Sequence, residues 1–147
     1  MTAPSWFARD LDMTNTLQLE IVTPEATVYS ETVEMVTLPA VEGQMGVLPL
    51  HVRLVTQLVP GELIVRKDGR DNYLAVGEGL VDVSNDRVSI VTNMAVAIDN
   101  IDEAAAEEAR ERAATRLREK LSTEEVASVN AAMARSLAQL HVKRRHR

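Results

Sequence analysis

The chain has 147 residues, with 16 Lys and Arg against 22 Asp and Glu and a formal net charge of −6. This negative balance argues against general nucleic-acid binding. The absence of cysteine excludes disulfides and thiolate metal sites and is compatible with a reducing compartment. No apolar run approaches the roughly 18–20 residues needed to span a bilayer.

The length suits one or two small domains. Aromatic residues make up only 3%, so Val, Leu, Ile, Met and Ala must form the core. Residues 1–16 show no clear period and read as a poorly ordered extension, with Trp6 and Phe7 as its one aromatic pair. A basic segment followed by an apolar core is missing there, so a secretory signal is not expected. The composition fits a soluble, cytosolic chain that can still sit on a membrane-bound partner.

Leu17–Val22 alternates, with Leu17, Leu19 and Ile21 on one face and Gln18 and Glu20 on the other, which predicts a half-buried strand. Val28–Tyr29 and Thr32–Leu38 are rich in Val and Thr and read as further strands. Leu54–Leu58 is another, closed by the turn Val59-Pro60-Gly61. Asp68-Gly69 between Glu62–Lys67 and Arg70–Val76 is a strong hairpin signal. Gly77-Glu78-Gly79 suggests a bulge or tight bend. Leu80–Val83 and Arg87–Thr92 alternate around the turn Ser84-Asn85-Asp86. Short strands at this spacing predict an antiparallel β-sandwich or barrel over residues 17–98.

One stretch interrupts the strand pattern. In Val41–His51, Gly43 and Gly46 can take φ > 0, and Pro49 removes a backbone donor. Met45, Val47, Leu48 and Leu50 make this interruption more apolar than a solvated turn. Two readings stand: a packed corner of the fold, or a surface presented to a partner.

From Ile101 onward the sequence is rich in Ala, Glu and Arg and has no Gly or Pro. Asn100 with Glu103, and Ser122 with Glu125, have capping-box spacing. Two helices are predicted, roughly Ile101–Leu121 and Thr123–Val142, forming an antiparallel hairpin over residues 99–142. The facing stripes read as Ala105, Ala109, Ala113, Leu117 and Leu121 against Val126, Val129, Met133, Leu137 and Leu140. At about 25 cal/mol per Å2, an Ala-rich seam stabilises far less than a Leu-rich one. The hairpin is therefore expected to be the weaker unit, able to detach while the sandwich stays folded. Residues 143–147, Lys-Arg-Arg-His-Arg, form a basic tail. It reads either as a solvated terminus or as a contact to an acidic partner or anionic lipid.

No phosphate-cradling glycine loop and no nucleophile elbow is present. The three histidines, His51, His141 and His146, have no metal-ligand spacing to one another. No metal site and no catalytic residues are assigned. The acidic cluster Asp102, Glu103, Glu107 and Glu108 lies in the first helical turns, where it complements the helix dipole.

Glu42-Gly43-Gln44-Met45-Gly46-Val47-Leu48-Pro49, then His51, then Pro60-Gly61, resembles the Glu-Gly-x-x-Gly-[Ile/Val]-x-Pro-x-His…Pro-Gly segment of the epsilon subunit of bacterial F-type ATP synthases. Leu74–Val83 is similar to the family's strand–Gly-Gly–strand passage, and Ile101-Asp102-Glu103-Ala104 to the start of its Ile/Leu-Asp-x-x-Arg-Ala motif. The resemblance covers about residues 17–140 and includes the two-part layout.

It implies a non-catalytic central-stalk subunit of a proton- or sodium-translocating complex. This would lie at the cytoplasmic face of the bacterial inner membrane and reach the membrane only through the complex. The sandwich would clamp the gamma subunit and touch the c-ring, with Glu42, Gln44, Val47, Leu48 and His51 on the facing loop. Gln44 stands where the family often has Glu, replacing a charged contact by a neutral amide. The hairpin would fold on the sandwich or extend toward the alpha and beta subunits and block ATP hydrolysis. Arg110, Arg112, Arg116, Arg118 and Arg135 would then either meet acidic loops or pair with Glu within the helices. Some family members bind ATP between sandwich and hairpin. Asp102 and Arg112 match that pattern and Arg135 is a further candidate, but Ala105 replaces the motif's arginine and Val96 an expected acid. The alternative from another class is a stand-alone binding module whose hairpin engages another helical partner.

Overall fold

The computed structural model describes residues 16–49 and 53–146. Among these residues ten strands precede two helices. The strands are β1 (Leu17–Val22), β2 (Thr27–Val33), β3 (Met35–Ala40), β4 (Gly43–Val47) and β5 (Leu54–Leu58). They continue as β6 (Gly61–Lys67), β7 (Arg70–Val76), β8 (Gly79–Ser84), β9 (Arg87–Thr92) and β10 (Ala95–Ala97). A short 3-10 turn, Ile98–Asn100, leads to α1 (Glu103–Arg116) and α2 (Thr123–Arg145).

Hydrogen bonding runs β10-β7-β6-β3-β5-β8-β9-β1-β2, with β4 on the side of β3. The path narrows to the single pair Ala40↔Leu58 where β3 passes to β5, which divides the sheet into two layers. At the other end Lys67 of β6 bonds Glu31 of β2 at 2.8 Å, and the Glu34 amide donates to the Arg66 carbonyl. The sandwich is thus partly closed, like a barrel. Pairing is antiparallel throughout except for β1 with β9, which run parallel. Periodicity within strands cannot reveal that pair, because it joins the first strand to the ninth.

The core follows the period-2 pattern. Leu19, Ile21, Val36, Leu38, Leu58, Leu63, Val65, Val81 and Ile90 are buried, and every buried member of this cluster comes from a strand. The β6–β7 hairpin turns through Asp68 and Gly69, both at positive φ, as an Asp-Gly type I′ turn requires. The interruption after β3 is partly strand: Gly43–Val47 pairs with β3 along its whole length. Gly43, at φ +123°, supplies the backbone freedom for the reversal.

The helices form the expected antiparallel hairpin with different boundaries. Asp102 rather than Asn100 caps α1, its carboxylate accepting from the Ala105 amide at 3.1 Å. Asn100 belongs to the preceding 3-10 turn. Helix α1 stops at Arg116, where i→i+3 bonds from Arg118 to Thr115 and from Glu119 to Arg116 tighten the chain for reversal. Ser122 and Glu125 do form a reciprocal capping box. Helix α2 continues to Arg145, past the expected end at Val142.

Helix α2 lies between α1 and the outer face of β6 and β7. Beneath it Ala75, Ile101 and Val142 form a second small core. The facing stripes differ from the sequence reading. Ala106 and Ala113 are the buried residues of α1, and Ser136, Ala138, Leu140 and Val142 those of α2. Ala105, Leu117, Val126 and Leu137 are exposed. The buried residues of α2 crowd its C-terminal half, where the sheet lies beneath it. No helix among the described residues is long and apolar enough to cross a membrane.

Candidate functional site

The β3–β4 turn places Val41, Glu42 and Gln44 in solvent. Val41 is 55% exposed and its amide bonds the Gln57 carbonyl at 3.0 Å. The Glu42 carboxylate accepts from the buried Thr56 hydroxyl at 3.1 Å, fixing the turn against β5. Leu48 follows β4 with 56% of its surface open.

Val47 corrects the sequence expectation. It is 1% exposed and belongs to the sandwich core, because the alternation of β4 turns it inward. It shapes the loop from inside and is not available to a partner. His51 lies outside the described residues.

A second surface was missed from sequence. On the outer face of β5, β8, β9 and β1, Leu80 pairs with Val91 and Val91 with Val22. Gln57 faces Leu80, and Val55 stands one position along the same face. Val55, Leu80 and Val91 are 67%, 59% and 60% exposed. Val22, Pro24, Leu80 and Val91 line a shallow groove of about 480 Å3. The signal was present: Leu80 and Val91 occupy places that a half-buried strand gives to polar side chains. A row of large apolar groups left in water marks an interaction site more often than chance exposure does.

The hairpin arginines divide into two sets. Arg110 bonds Glu107, Arg112 approaches Glu108 at 3.9 Å, and Arg116 bridges Glu119 and Glu125 at 3.4 Å each. Glu107 is held below the usual carboxylate range, first by Arg110 and then by Arg144. Arg118 and Arg135 make no ion pair among the described residues. The Arg135 stem runs beside Gly77, with its Cγ 3.5 Å from where a Cβ would stand.

Asp102 and Arg112 do not converge on one anion site, and Arg135 lies beside Gly77. Asp102 is engaged as a cap and Arg112 faces Glu108. Asp102 and Arg112 are ten residues apart on one helix, about 15 Å along its axis.

The described part of the basic tail, residues 143–146, is engaged inside the molecule. Lys143 donates to the Ile98 carbonyl at 3.1 Å, and Arg144 reaches Glu103 at 2.8 Å and Glu107 at 3.0 Å. Arg145 bonds Glu62 at 3.0 Å, His146 bonds the same carboxylate, and its ring stacks on Tyr73 with centroids 3.6 Å apart.

Comparison with known proteins gives a consistent likeness. The family model described as ATP synthase, Delta/Epsilon chain, beta-sandwich domain matches residues 16–98. That for the long alpha-helix domain of the same chain matches residues 99–144. An ATP synthase epsilon chain of Herpetosiphon aurantiacus is 43% identical over 131 residues, covering 89% of this chain and 96% of the relative. That of Halorhodospira halophila is 39% identical over 128 residues, covering 86% and 91%. A chain in the Euglena gracilis mitochondrial ATP synthase shares the fold, with a TM-score of 0.71 at 23% identity over 96% of this chain and 94% of that one.

Proposed function

This chain belongs to the epsilon-subunit family of bacterial F-type ATP synthases, and on that footing we propose that it is a non-catalytic part of the complex's central stalk. The sandwich binds the gamma subunit and the c-ring, and so helps couple ion translocation to ATP synthesis. The protein sits at the cytoplasmic face of the bacterial membrane through these partners alone.

The observation that carries this reading is the open apolar row of Val55, Leu80 and Val91 on a sandwich whose own core is complete without it. Its surface chemistry suits an apolar face of gamma. Val41, Glu42, Gln44 and Leu48, at the neighbouring turn, form the edge offered to the c-ring loops. Gln44 contributes an amide hydrogen bond there rather than a charge.

The hairpin is the mobile regulator. Docked on the sandwich it leaves the catalytic head free; extended along gamma it reaches alpha and beta and slows ATP hydrolysis. Arg118 and Arg135, without an ion pair among the described residues, are the hairpin arginines already available to acidic loops. Arg110, Arg112 and Arg116 must first exchange their glutamate partners. ATP as a ligand between sandwich and hairpin gains no support from the separate positions of Asp102 and Arg112.

The test adds the purified chain, or a version ending at Asn100, to a catalytic head that lacks this subunit, and measures binding and ATP hydrolysis. Both forms should bind, because no helix residue enters the sandwich core. Only the full chain should slow hydrolysis. Equal effects would remove the inhibitory role. Failure of both to bind would favour a stand-alone binding module.

A further inference from the structure

We propose that Glu62, Arg145 and His146 form a clasp that makes docking of the hairpin conditional on the last turn of α2. Glu62 sits on the outer face of β6, opposite Ala75 of β7. Its side chain is 6% exposed. Helix α2 covers that face, so undocking returns the carboxylate to water and docking removes it.

A buried carboxylate without a partner is costly, whereas a paired one is tolerated with little net gain or loss. The two partners come from consecutive residues at the end of α2, 83 and 84 positions along the chain. His146 is also held flat against Tyr73 of β7. Lys143 fastens the same turn to the Ile98 carbonyl, at the segment where the chain leaves the sandwich.

The apolar contact beneath the helix has Ala75, Ile101 and Val142 as its buried members, with Tyr73, Met94, Val96 and Ile98 partly buried against them, and Gln139 Nε2 meets Met94 Sδ at 3.2 Å. It holds the helix on the sheet without supplying a partner for the carboxylate. The clasp supplies one: a hairpin whose final turn is frayed, shifted or captured elsewhere would bury Glu62 unpaired and is rejected by the sandwich. The regulatory consequence rests on the mobile-hairpin reading above. The clasp itself is a property of the isolated chain.

The test uses the full chain, which has no cysteine, with nitroxides at Arg70→Cys and Ser128→Cys, both exposed positions. Distance distributions then separate docked from undocked hairpins. Arg145→Ala/His146→Ala should raise the undocked fraction at least about tenfold. Adding Glu62→Met should return it to the starting level or below, because no carboxylate is then left stranded. Circular dichroism of the strands checks that the sandwich is intact. An undocked fraction unmoved by the tail substitutions overturns the clasp, as does failure of Glu62→Met to restore docking. A chain that docks as expected here but does not bind the catalytic head would refute the stalk assignment and leave the clasp standing.

Discussion

Leu80 and Val91 face each other across the β8–β9 ladder, and each keeps more than half of its surface in water. Cross-strand apolar pairs normally stabilise a sheet by being covered. This pair is stable without cover because the core lies on the opposite face, through Val81 and Ile90. Leu80→Ser and Val91→Asp should therefore leave thermal stability within a few degrees. Each should weaken association with gamma by about 10–100-fold, the loss expected when one large side chain is no longer buried at an interface. Calorimetric melts and titration against isolated gamma read the two effects separately. A large fall in stability with unchanged affinity would place the pair in the fold rather than in the interface.

Gly79 should be the least replaceable glycine of the sandwich. A Cβ there would stand 1.9 Å from the Val91 carbonyl oxygen and 2.8 Å from the Thr92 Cα, both backbone atoms. Neither can move without breaking the β8–β9 register. Gly79→Ala should cost about 2 kcal/mol or more. At Gly77 the nearest obstacle is the Asn93 side chain, which can rotate away. Gly77→Ala should be clearly milder, and urea denaturation of the two variants tests that order.

Much of the fold was legible because its strands obey one rule. Leu17, Leu19 and Ile21 alternate and are buried as alternation requires, and Asp68-Gly69 turns where such a pair turns. Val47 was misread because family likeness placed its loop at a surface, while the alternation within β4 sends that one side chain inward. Glu62 drew no notice because its value depends on residues 83 and 84 positions away. Local pattern carries no trace of such a pairing. The apolar outer row was visible as a departure from alternation at Leu80 and Val91, yet a departure reads as noise until the register lines them up.

The hairpin should open locally before the sandwich unfolds. Its seam buries only Ala106 and Ala113 from α1, and no residue of α2 before Ser136 is buried. Amides of α1 and of residues 123–135 should exchange at a lower opening free energy than those of β6–β9. Ser122→Ala removes the capping box and should lower protection in the first turns of α2 by about 1 kcal/mol. The melting of the sandwich should not move. Helix amides protected as strongly as the strands would defeat this reading.

Acid should loosen the seam where the sandwich closes. Glu31 of β2 accepts from Lys67 of β6 at 2.8 Å. Its carboxyl is held below the ordinary value of 4.5, first by the Lys67 hydrogen bond and then by that of Tyr29. A depressed carboxylate favours the folded state at pH above its unfolded value, and the contribution disappears as pH falls through the folded one. The loss therefore belongs below about pH 4.5 and not near neutrality. Both side chains are substantially exposed, 35% for Lys67 and 46% for Glu31, so the effect should be small and weaken further in salt. Melting temperatures from pH 7 to 3 should fall less steeply in Glu31→Gln than in the native chain, and 0.5 M salt should narrow the difference. An unchanged acid limb in Glu31→Gln would mean that the contact does not help close the sandwich, leaving the Glu34–Arg66 backbone bond to hold β6 against the end of β2.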